Sequence, residues 1–157
     1  MKLFKQIAFA SALTIAAFLD LATAHAHETK IGDIVISHPW SRQSPMAADV
    51  GAGFMVIENT GQQDDRLVRA TATISDNVQL HDMKMVDDVM KMVELAGGIP
   101  IPAGAKVELK PGSLHVMFLE LKAPVKEGET IAGTLIFEKA GTIEVEFEVG
   151  APNAGMN

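Results

Sequence analysis

Apolar positions recur along this chain in short alternating runs rather than in helical stripes. The clearest run sets Ile143, Val145, Phe147 and Val149 against Glu144, Glu146 and Glu148. A period of two with one acidic side is the signature of a half-buried strand. Ile131, Leu135 and Phe137 suit its antiparallel partner, with Glu138 to Gly141 as the hairpin turn. Further strands are predicted at Ile34 to Ile36, Gly53 to Glu58, Leu67 to Thr73, Val78 to Met83, Met90 to Leu95, Lys106 to Leu109 and Leu114 to Leu121. Turn residues punctuate them at Asn59-Thr60-Gly61, Asp64-Asp65, Ser75-Asp76-Asn77, Gly97-Gly98, Pro111-Gly112, Glu127-Gly128 and Ala140-Gly141. A short helix over 83–93 is conceivable, but its Val-rich flanks and the nearby glycine pair favour strand or loop. About nine short strands with regular turns predict an all-β fold, a sandwich or barrel of Greek-key type. No internal repeat or long linker divides the chain, so residues 27–157 read as one domain with a loose tail from Ala151 to Asn157.

The N-terminus departs from this pattern. Lys2 and Lys5 precede an apolar stretch from Ile7 to Leu19, closed by Asp20, and Ala24-His25-Ala26 fits a small-x-small cleavage site. Residues 1–26 are therefore expected to be a cleaved secretory signal, too short in its apolar part to span a bilayer comfortably. The domain that follows is expected in the periplasm, as a monomer with no stable membrane insertion. The formal net charge of −7, with dispersed Lys and Arg, argues against nucleic acid, which demands basic clusters. There is no cysteine, so no disulfide framework supports the fold. With one Trp and no Tyr, the core must be mainly aliphatic.

Candidate chemistry lies in the window from His81 to Met117. Strand parity makes His115 and Met117 project together while Leu114, Val116 and Phe118 face the core. His81 takes the matching position on its own strand, opposite in sense to Val78 and Leu80. Read singly, each has a bland explanation, since a strand histidine is usually a satisfied polar residue and a methionine usually core filler. Yet Met83, Met85, Met90, Met92 and Met117 crowd into this window, several beside charged residues (Asp82-Met83-Lys84-Met85). The residues alone leave packing and metal binding evenly balanced. If a metal is held, imidazole and thioether donors favour Cu(I). Zinc sites use His, Cys and carboxylates, and calcium needs clustered oxygens that Asp87-Asp88 do not supply. A blue-copper electron-transfer centre needs the absent thiolate.

His81, ten residues, Met92, twenty-two residues and His115-Val-Met117 together resemble the signature of the periplasmic copper chaperones called PCu(A)C. That signature carries about one residue fewer before its His-x-Met, a difference that loops tolerate. Trp40-Ser-Arg42, Gly51-Ala-Gly53-Phe-Met-Val-Ile-Glu-Asn59, Asp65-Arg-Leu67, Val89-Met-Lys-Met92, Ile101-Pro-Ala-Gly104 and Leu109-Lys-Pro-Gly112 extend the resemblance across nearly the whole domain. It implies a cupredoxin-like β-sandwich holding Cu(I) through His81, Met92, His115 and Met117. It also implies delivery toward the binuclear copper centre of cytochrome c oxidase, with the oxidase copper subunit or a thiol-containing copper chaperone as partner. Met83, Met90 and His27 are accessory candidates; His27, as a new N-terminus, has an amine and ring that can chelate Cu(II), but a disordered terminus is the first reading there. The His- and Met-rich C-terminal extension of some members is not matched here.

His38-Pro39-Trp40 reads as a strand end with a packed indole, and Arg42 and Arg66 as edge ion-pair partners or docking contacts. No acid–base pair or nucleophile context suggests an enzyme. The alternatives to a chaperone are a copper buffer without a dedicated recipient and a metal-free exported β-sandwich module.

Overall fold

The computed structural model describes residues 28–155, and every described element is a strand. The proposed signal at 1–26 and the accessory candidate His27 lie outside the described residues. Eleven strands are formed: β1 (Glu28–Ile31), β2 (Ile34–Arg42), β3 (Gly51–Asn59), β4 (Asp65–Ala72), β5 (Asn77–Val86), β6 (Val89–Glu94), β7 (Ile99–Ile101), β8 (Lys106–Leu109), β9 (His115–Leu119), β10 (Thr130–Phe137) and β11 (Gly141–Gly150). Hydrogen bonding runs in the order β6-β5-β9-β3-β2-β11-β10-β4-β7, with β1 beside β2 and β8 beside β3. All pairs are antiparallel except β11 with β2.

The pairing path folds over into the two layers of a β-sandwich. Phe118 on β9 and Phe147 on β11 lie three steps apart along it. Their rings nevertheless meet edge to face with centroids 5.6 Å apart, a contact made across the core. Both are fully buried, among Ile36, Ile57, Leu67, Leu135 and Val116. Gly53 allows this contact, because a Cβ there would lie 2.8 Å from Phe147 and 2.9 Å from Phe118.

Two strands exceed the nine expected. β1 is short and lacks a buried apolar set, and β7 reads Ile-Pro-Ile, in which proline argues against a strand. Pro100 is tolerated because β7 ends the path and pairs with β4 alone. The expected strand at Ile34 to Ile36 is longer, continuing to Arg42 past a register break between Ser37 and Trp40. His38, with φ at 50°, sits in that break, so His38-Pro39-Trp40 is a mid-strand irregularity rather than a strand end. The indole does pack, 4.5 Å from the Phe54 ring. Residues 83–93 form a hairpin: β5 and β6 pair from His81↔Glu94 to Val86↔Val89. Asp87 and Asp88 turn it with φ of 51° and 60°, the double positive φ of a type I′ turn.

Candidate metal centre

Register decides which side chains can meet. β5 pairs with β9 so that His81 lies directly opposite His115 and Gln79 opposite Met117. β5 pairs with β6 so that Glu94 faces His81, Met92 faces Met83 and Met90 faces Met85. Opposed residues share a face, as do residues two apart. His81, Met83, Met92, His115 and Met117 therefore stand on one face of three neighbouring strands. The sequence places His81 and His115 far apart; strand pairing makes them neighbours, with ring centroids 5.6 Å apart.

The imidazoles are the buried members of this set and Met92 the exposed one, and His81 is not among the residues that line the cleft onto which the others open. His81 and His115 are 9 % and 5 % exposed, whereas Met92, on the terminal strand β6, is 48 % exposed. Met83, Met92, His115 and Met117 line an open cleft of about 340 Å³, completed by Arg42, Pro45, Val50 and Phe54 among others. Two larger hollows, of about 580 and 600 Å³, are lined by Thr, Glu and turn residues and offer no thioether or imidazole. Met90 is a different case. It pairs with Met85 near the hairpin tip, both are exposed, and neither lines the cleft.

Hydrogen bonds fix which ring nitrogen of each histidine is bare. Nδ1–H of His115 donates to the Ser113 carbonyl at 2.9 Å, which leaves Nε2 with its lone pair. For His81 the proton is placed by a chain of side chains along one face of β5. Asn77 Nδ2 donates to Glu120 at 3.3 Å, and Gln79 Nε2 donates to Asn77 Oδ1 at 3.5 Å. Gln79 Oε1 is thereby turned toward His81 and accepts from its Nε2–H at 2.8 Å. Nδ1 of His81 is buried and makes no hydrogen bond. Burial, and then the neighbouring His115, lower the His81 pKa from 6.5, with Glu94 opposing. The ring is held neutral, as a metal ligand must be. Gln79 and the Ser113 carbonyl escaped the sequence reading. Gln79 carried a usable signal, standing two residues before His81 on the same strand face.

A family model described as "Putative lipoprotein LpqE-like" matches residues 34–149. The chain belongs to the LpqE-like family. The chain is also 30 % identical over 128 residues to the "Putative lipoprotein Lxx21020" of Leifsonia xyli subsp. xyli, covering 82 % of this chain and 76 % of that protein. Among solved structures, the LpqE-like chain is similar to the copper-bound PCuAC domain from PmoF2, with a TM-score of 0.68 and 28 % identity over 80 % of this chain and 99 % of that one. It is also similar to CuI-DR1885 from Deinococcus radiodurans, with a TM-score of 0.60 and 26 % identity over 85 % and 87 % of the two chains. The PCu(A)C resemblance and the cupredoxin-like β-sandwich read from the sequence are both borne out.

Proposed function

We propose that this LpqE-like chain is a periplasmic copper chaperone that carries one Cu(I) as cargo on His81, Met92, His115 and Met117. The observation that carries the reading is the pair of imidazoles opposed across β5 and β9, each with one ring nitrogen free of a proton, beside thioethers on the same face. Two neutral nitrogens and two neutral sulfurs form a soft set suited to Cu(I). Among the described residues no three His, Asp or Glu side chains gather to hold a metal, so the oxygen-rich alternatives lack support. Relatives named as copper-bound and CuI forms agree with the assignment.

Carriage rather than storage is suggested by the way the donors are layered. Buried imidazoles keep the ion from water, while the half-exposed Met92 on an edge strand is the donor an incoming partner reaches first. Exchange then proceeds by replacing thioethers one at a time. Met83, paired with Met92 across β5 and β6, is the accessory donor proposed to hold the ion during transfer. Nothing in this role calls for catalysis. The recipient is proposed to be the oxidase copper subunit, or a thiol-containing chaperone on the way to it. Export rests on the leader at 1–26 and on the lipoprotein names of the relatives.

Anaerobic titration with Cu(I) against a chromophoric competing chelator tests the site. One equivalent bound tightly by the wild type, and lost from a His115→Ala, Met117→Ala double variant, supports it. Full affinity in the double variant rules the site out. Oxidase copper loading in cells lacking the protein under copper limitation separates delivery from buffering.

A further inference from the structure

Arg42, at the end of β2, lines the same cleft, yet a cation has no part in holding Cu(I). Its guanidinium carbon stacks 5.5 Å from the Phe54 ring centroid and 5.9 Å from that of Trp40. These cation–π contacts satisfy none of its N–H donors. Its Nε is buried with no hydrogen-bond partner, and among the described residues no ion pair includes Arg42. Other cations are either matched, as Arg66 is with Glu138 at 3.9 Å, Lys106 with Glu58 at 3.2 Å and Lys122 with Asp76 at 2.6 Å, or exposed to water, as Lys30, Arg69, Lys91 and Lys126 are. An unpaired, partly desolvated guanidinium is costly, and a chain with 20 carboxylates had the means to pair it.

We propose that the cleft is a carboxylate-binding site, with Arg42 as the anion receptor and thioethers and Phe54 as the apolar wall. The volume of about 340 Å³ lies at the small end of ligand sites and suits a short carboxylic acid or one acidic side chain. A single guanidinium neutralises one charge. The apolar walls disfavour a dianion such as phosphate, whose second charge would go unpaired. The carboxylate comes either from a free small acid or from an acidic side chain of a protein entering the cleft. Where Cu(I) is bound, such an anion offsets the repulsion between the ion and the guanidinium. Carboxylate and copper then strengthen each other's binding by the same factor. The coupling rests on the copper reading above; the anion site does not.

The test uses the metal-free wild-type protein. The Nε–Hε resonance of Arg42 is followed by 1H–15N NMR while sodium acetate is added, with sodium chloride at matched ionic strength as control. A saturable shift with acetate alone is expected, accompanied by backbone amide shifts at Phe54 and His115; read from those amides, the affinity falls roughly tenfold in Arg42→Lys, which keeps the charge but loses the fork. In Arg42→Gln the accompanying shifts of Phe54 and His115 should vanish. No saturable shift in the wild type, or the same shift with chloride, overturns the proposal and leaves Arg42 a stacked structural residue. A capped peptide with one Glu between apolar residues separates the sources. Tighter binding than acetate assigns the site to a protein's acidic side chain, and equal binding to a free acid. Cu(I) competition is then repeated with and without acetate. A rise in affinity in the wild type but not in Arg42→Gln supports the coupling, and no rise removes it. If no copper binds at all, the metal-free titration still decides the anion site.

Discussion

Gln79 offers the sharpest test of how the histidines are prepared. Gln79→Leu keeps the side-chain volume close to native and deletes the Oε1 that accepts the His81 Nε2–H at 2.8 Å. The N–H is then left in a buried ring without a partner, which costs about 1–3 kcal/mol of fold stability. The larger effect falls on copper. Without Gln79 nothing confines the proton to Nε2, and a proton on Nδ1 blocks the nitrogen that the structure leaves bare. Groups that orient a metal-binding histidine are typically worth 10–100-fold in affinity, or about 1.4–2.8 kcal/mol. Asn77→Ala should do less, about threefold or under, because its bond to Gln79 is long at 3.5 Å and acts at one remove. Two measurements suffice: Cu(I) affinity by anaerobic chelator competition, and the His81 tautomer in the metal-free protein from its ring 15N shifts. The reasoning is refuted if Gln79→Leu binds copper within about twofold of the wild type and its His81 ring keeps the proton on Nε2.

Two further outcomes follow from the same geometry. Gly53→Ala places a methyl 2.8 Å from Phe147 and 2.9 Å from Phe118, so urea denaturation should show a loss of about 1–3 kcal/mol; a wild-type midpoint would mean the aromatic pair yields freely. The His81 pKa is lower in the folded chain than its ordinary 6.5, so the unfolded chain takes up a proton that the folded one resists. Its contribution to stability is therefore present above 6.5 and lost as pH falls through the folded value. The melting temperature of the metal-free protein should drop between neutral pH and about 5, with a shallower drop in His81→Asn; parallel curves for the two proteins would contradict the assignment.

Much of the fold was legible because the chain alternates so plainly. The β10–β11 hairpin and the bounds of β8 match the reading from residues alone. β7 hid behind Pro100, whose place depends on lying at a sheet edge, a property of topology rather than of local sequence. The type I′ turn at Asp87-Asp88 was hidden too, since two consecutive positive φ values are more usual for Asn-Gly. At the candidate site, parity sufficed to put His115 and Met117 on one face and His81 on the matching face of its own strand. That His81 and His115 become direct neighbours required the β5–β9 register, which local sequence does not encode. Met92 was singled out from five thioethers by family spacing alone. The structure adds why Met92 and Met83 differ from Met90: the first two line the cleft, and the third stands near the hairpin tip.

The claim that two histidines and two methionines hold Cu(I) is tested most directly by X-ray absorption on protein loaded with one equivalent of Cu(I). The loaded protein should show an edge of Cu(I) and a first shell of two nitrogen and two sulfur scatterers, with a sulfur scatterer lost in both Met92→Ala and Met117→Ala. A shell of nitrogen and oxygen alone, or one unchanged in those variants, would contradict it.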